Sequence, residues 1–112
     1  MKYLIIRTNL DLQLDEPEDS RVYTHKIGGE FIDFEEAKKA IDKNMDEVIE
    51  SDASDRFDSS DDEEEIEDFK KSYQRVYAKK QPEVGKLVNI AELVLEDDYY
   101  QTTYRYDILA LK

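Results

Sequence analysis

The sequence predicts an α+β domain: an antiparallel β-sheet with two α-helices packed on one face, in the order ββααββ. Three observations point there. The two ends of the chain alternate apolar and polar residues, as strands do. Two central segments repeat apolar residues at three- and four-residue spacing, as amphipathic helices do. A length of 112 residues supplies one hydrophobic core but not two, so residues 1–112 form a single small acidic domain.

The first element is a strand from Lys2 to Leu14. Its even positions Leu4, Ile6, Leu10, Leu12 and Leu14 are apolar, which marks them as the buried face, and Arg7, Asn9, Asp11 and Gln13 lie opposite. Asp15 to Ser20 carries a proline and no apolar side chain, so it reads as a turn. Arg21 to Ile27 reads as the returning strand, ended by Gly28-Gly29.

Asp33-Phe34-Glu35-Glu36 has the form of a capping box, with Ile32 placed to staple onto Ala37. The stripe Phe34, Ala37, Ile41, Met45, Val48 and Ile49 carries a helix to about Glu50. Residues 51–60 hold only Ala53 and Phe57 as apolar side chains and read as a mobile acidic linker. Ser60-Asp61-Asp62-Glu63 reads as a second capping box, and Ile66, Phe69, Tyr73, Val76 and Tyr77 extend its helix to Lys80 before Pro82. Leu87 to Leu95 and Tyr99 to Leu111 form the last hairpin around the turn Glu96-Asp97-Asp98. Tyr100, Tyr104, Tyr106, Ile108 and Ala110 share one side of its second strand.

Charge is the most informative feature for function. Charged residues make up 40% of the chain, against about 25% in an average domain. The net charge is −13, and nearly all of it lies between Asp46 and Asp68, where Arg56 is the one base. So strong a negative balance opposes direct contact with nucleic-acid phosphates or anionic lipid, and favours a basic protein surface as partner. There is no cysteine, which excludes disulfides and thiolate metal sites. The apolar run after Met1 is too short for a signal peptide, and no segment approaches the roughly 20 apolar residues of a membrane span, so the expected location is the cytoplasm.

The acidic run has a structural explanation that covers part of it. Acids in the first turn of a helix and Lys70, Lys71, Arg75, Lys79 and Lys80 toward its end complement the helix dipole, and Glu67 and Lys71 stand at i,i+4 spacing. Two or three acids would serve that purpose. The excess points to a binding surface made of Asp55, Asp58, Asp61, Asp62, Glu63, Glu64 and Glu65, with Asp97, Asp98 and Tyr99 as a second, turn-borne anchor. In composition the chain resembles the small acidic DNA-mimic inhibitors encoded by phages and mobile elements. That resemblance implies carboxylates occupying Lys/Arg sites that otherwise hold phosphates. The competing expectation is a structural or assembly domain whose acids only confer solubility and helix capping.

Other chemistries fare worse. An EF-hand register from Asp52 puts Arg56 at the fifth position and Phe57 where Gly belongs, and one from Asp58 puts Glu63 at the Gly position and Phe69 at the twelfth, so no metal site is expected. Ser51, Ser54, Ser59 and Ser60 lie in an acidic context that suits acid-directed kinases, but serine is equally a cap and linker residue. His25 is the single histidine, there is no Gly-x-Ser-x-Gly elbow and no phosphate-cradling glycine loop. A non-catalytic protein without cofactor is expected, and the sequence leaves its oligomeric state open.

Overall fold

A computed structural model describes residues 1–96 and 100–112. Among them the chain forms β1 (Lys2–Gln13), a 3₁₀ turn (Pro17–Asp19), β2 (Arg21–Phe31), α1 (Phe34–Arg56), α2 (Glu63–Lys71), β3 (Gln74–Tyr77), β4 (Leu87–Glu96) and β5 (Tyr100–Leu111). The strands make one five-stranded antiparallel sheet of order β2-β1-β5-β4-β3. The α+β class matches the expectation, and the two hairpins join through β1 and β5, paired from Lys2↔Leu111 to Gln13↔Tyr100. The order differs by one strand: it is ββααβββ.

The extra strand comes from the end of the expected second helix. Helix α2 stops at Lys71, where Ser72 turns back and donates its hydroxyl to the Phe69 carbonyl. Tyr73, Arg75 and Tyr77 then alternate toward α1, while Gln74 and Val76 face away, and β3 pairs with β4. The same residues satisfy a helical stripe and an alternating strand. Hydrogen bonds to α1 accompany the strand: Arg75 donates to Asp46, and Tyr77 donates to Asp42 at 2.8 Å.

Helix α1 is longer than predicted. It runs to Arg56, so residues 51–56 are helix rather than linker, and residues 57–62 make the connection to α2. The reason is tertiary. Ala53 continues the stripe of Met45 and Ile49 and is buried with them, which outweighs the turn preference of Ser51, Asp52 and Ser54. At its start Asp33 caps α1 by accepting from the Glu35 N–H at 3.0 Å. Glu36 pairs with Lys39 instead of completing a box, and Ile32 is solvent-exposed instead of stapling.

The buried side of β1 is the opposite of the one its leucines mark. Ile5 is fully buried, and it shares the helix-facing side with Tyr3, Arg7 and Asn9. The even positions Leu4, Ile6, Leu10 and Leu12 line the other side of the sheet, which neither helix covers. Arg7 is accommodated beneath α1 because it donates to Asn44 at 2.8 Å and to Asn9 at 2.9 Å. Gly28-Gly29 lies within β2, where the pairing shifts between Tyr3 and Ile5. Gly28 has φ +67°, a conformation open to glycine, so the strand bulges and continues to Phe31.

The core lies between the sheet and α1. Ile5, Ile41, Met45, Leu93, Tyr106 and Ile108 are essentially solvent-free, and each such side chain contributes roughly 1.5–3 kcal/mol by burial. Tyr104, Tyr106, Ile108 and Ala110 all point into this core, as the alternation of β5 requires.

Candidate functional site

The predicted acidic surface is the corner where α1 hands over to α2. Phe57 follows the last turn of α1, and its ring meets Phe69 edge-on with centroids 5.5 Å apart. Phe69 in turn meets Tyr73 at 5.6 Å. This aromatic chain anchors α2 beside α1, and the Arg56 guanidinium lies 4.8 Å over the Phe69 ring. The apolar residues of the corner thus face inward and hold its carboxylates at the surface.

Those carboxylates divide into two groups. The acids of α1 have partners inside the fold. Asp46 pairs with Arg75, and Glu50 pairs with Lys70 at 3.0 Å. Asp52 accepts from the hydroxyls of both Tyr73 and Tyr104, the latter at 2.7 Å. These bonds leave a mark on the partners. The Lys70 ammonium is held above its ordinary range chiefly by its bond to Glu50, and the Arg75 guanidinium likewise by Asp46. Burial, reinforced by Asp52, pushes the Tyr104 hydroxyl well above its ordinary value. Tyr106 is pushed up to about 12 by burial, with Arg7 opposing.

The connection uses its acids to build a turn. Asp58 accepts from the backbone and side chain of Ser60, and these bonds hold its carboxyl below the usual carboxylate range. Its own N–H donates to Asp61 at 2.8 Å. Asp62 caps α2, accepting from the Glu64 N–H at 2.9 Å. The cap is therefore Asp62 rather than Ser60, and α2 begins at Glu63. Glu67 pairs with Lys70 at i,i+3, not with Lys71.

Glu63, Glu64 and Glu65 form the second group. All three are exposed in the first turn of α2, and among the described residues their side chains make no hydrogen bond or ion pair. Asp55 is also exposed, on the last turn of α1. It lines a cleft of about 470 Å³ with Asp11, Asp52, Arg56, Tyr73 and Tyr104. The structure thus brings Asp55, Asp58, Asp61, Asp62, Glu63, Glu64 and Glu65 to one corner, while Asp97, Asp98 and Tyr99 lie outside the described residues. Sequence reasoning weighed Asp52 only as the start of an EF-hand register and gave neither it nor Asp46 a partner inside the fold; the signal available was their i,i+3 and i,i+4 spacing from the apolar stripe of α1.

No cluster of metal-ligating side chains occurs among the described residues, and no described helix is long and apolar enough to cross a membrane. His25 stands exposed on β2, opposite Arg7 in register. No protein-family model matches the chain, and no curated protein or solved structure shows significant similarity to it.

Proposed function

We propose that this chain is a small, non-catalytic, acidic binding module that acts as an inhibitor or adaptor by engaging a basic surface of a partner protein. In its most specific form it mimics DNA, with carboxylates taking Lys/Arg sites that would otherwise hold phosphates. The observation that carries this reading is the set Glu63, Glu64 and Glu65, exposed and unpartnered among the described residues. A helix rises about 1.5 Å per residue, and B-form DNA presents one charge per roughly 1.7 Å of axis. Three consecutive glutamates therefore approach the linear charge density of a duplex. The dipole of α2 favours acids here, but by less than about 1 kcal/mol each at an exposed site, and Asp62 already caps the helix. Asp55, Asp58 and Asp61, which precede them in the chain, extend the negative field and would speed association with a basic groove.

The competing reading, an assembly domain with solubilising acids, draws support from the internal roles of Asp46, Glu50 and Asp52. A pull-down from host lysate distinguishes the two. Wild type should retain a nucleic-acid-binding protein that added DNA or moderate salt releases. A variant with Gln or Asn at Asp61, Asp62, Glu63, Glu64 and Glu65, folded by circular dichroism, should not. Equal capture by both proteins, or none, rejects the mimic.

A further inference from the structure

Neither helix covers the other side of the sheet, which is rich in apolar side chains; among the described residues only the 80–86 segment borders it, beside Leu87, Asn89 and Arg105. Strand alternation and pairing place Leu4, Leu109 and Leu87 together at one end of the strands. The same registers place Leu10 beside Val22 at the other, with Val94 across Thr103 from them. Val22 is 62% exposed and Leu87 58%. Five strands of this length make a face on the order of 800 Å². That is the whole face, polar and apolar together, and about 800 Å² per partner is what a stable protein interface uses.

We infer that this open face is a dimer interface, and that its occupant is a second copy of the same chain. Two features select a copy over a foreign protein. The first is charge. On this face Lys2, Lys26 and Arg105 offset all but one of the acids Glu30, Glu92, Glu96 and Asp107, although the whole chain carries −13. A basic protein is drawn instead to the helical side. Packing two copies sheet to sheet turns the acidic helices outward, with two sheets about 10 Å apart between them, beyond the Debye length of about 8 Å. The net charge therefore does little to oppose this one mode of self-association.

The second feature is self-complementarity. The two apolar groups flank a polar band in which Asp107 accepts from Arg105 at 3.1 Å and lies near Asn89. A two-fold axis running across the strands lays one apolar group on the other. It also brings Arg105 of each copy toward Asp107 of its mate, as an isologous contact demands. Asp107 is already 7% exposed and hydrogen-bonded in the single chain, so pairing adds little desolvation at this carboxylate. Sheets that stack in this way bury alternate residues from both inner faces, and here those residues are the leucines and valines of β1, β2, β4 and β5.

Sedimentation equilibrium of the full chain tests this inference. Wild type should give a mass twice the 13.2 kDa of one chain. A Val22→Lys, Leu87→Lys variant changes two side chains that are mostly exposed, so it should keep its circular dichroism while its dimer dissociation constant rises roughly tenfold or more. Isotope-filtered NOE spectra on a mixture of labelled and unlabelled wild type need no variant. They should show intermolecular contacts between the methyls of Leu4, Leu10 and Leu109. A monomeric wild type overturns the inference. So does a dimer that the double variant leaves unchanged, or one whose intermolecular contacts fall on the outer edges of β2 or β3. The Gln/Asn variant of the acidic corner should dimerise like wild type, which separates this surface from the proposed partner site.

Discussion

The acids of α1 and the acids that open α2 have the same chemistry and stand within twenty residues of each other, yet they meet different surroundings. Asp46, Glu50 and Asp52 look across α1 to Arg75, Lys70 and two tyrosine hydroxyls, and so tie β3, α2 and β5 to the helix. Glu63, Glu64 and Glu65 look out to solvent with no such partner among the described residues. Composition treats both groups as one acidic run. The fold separates them, because a carboxylate within reach of a fixed donor becomes part of the structure and one without a donor remains available to something else.

The comparison breaks most readily at Asp52. Replacing it by alanine leaves the Tyr73 and Tyr104 hydroxyls without their acceptor and should cost about 3 kcal/mol, read from the urea midpoint. A loss near zero would mean that Asp52 belongs with the solvent-facing acids. High pH probes the same packing through the tyrosines. Tyr106 titrates near 12 in the fold against 10.0 for an unperturbed tyrosine, so the unfolded chain loses its proton first. Stability that is fully present below pH 10 should therefore fall as pH rises from 10 through 12, by about 1.4 kcal/mol for this group near pH 11. Tyr106→Phe should flatten that limb in a pH series of urea melts.

Arg75→Ala sharpens the comparison at smaller scale. The pair with Asp46 is partly exposed, so its loss should cost no more than about 1 kcal/mol. An Asp46→Ala, Arg75→Ala double-mutant cycle measures the coupling. At the far end, Gln at Glu63, Glu64 and Glu65 should change stability by less than about 0.5 kcal/mol, since the cap at Asp62 survives and relief of the repulsion among the three carboxylates offsets the lost dipole attraction.

Much of the fold was legible in the sequence. The β5 alternation located Tyr104, Tyr106, Ile108 and Ala110 in the core, and Asp33 marked the start of α1. Three features were not legible, each because a local pattern had two solutions. In β1 both faces carry apolar residues, and the leucine-rich one was the natural choice for burial; the core took the other because Arg7 and Asn9 find partners beneath α1. At Tyr73–Tyr77 helical and strand periods coincide, and pairing with β4 decided for the strand. At residues 51–56 turn-forming side chains hid a helix that Ala53 and Asp52 secure through contacts distant in sequence. The location of the acidic corner was readable from charge alone. Its division into paired and unpaired acids depends on partners that only the fold supplies.

The central claim is tested most directly by measuring stability and capture on two charge-neutralised variants side by side. One carries Asn or Gln at Asp46, Glu50 and Asp52, and the other carries Gln at Glu63, Glu64 and Glu65. The account predicts opposite outcomes: the α1 variant loses stability but, at a temperature where it is folded, still captures the salt-sensitive partner. The α2 variant keeps its stability and loses the partner. An α2 variant that captures as well as wild type would contradict the account and leave those glutamates to solvation alone.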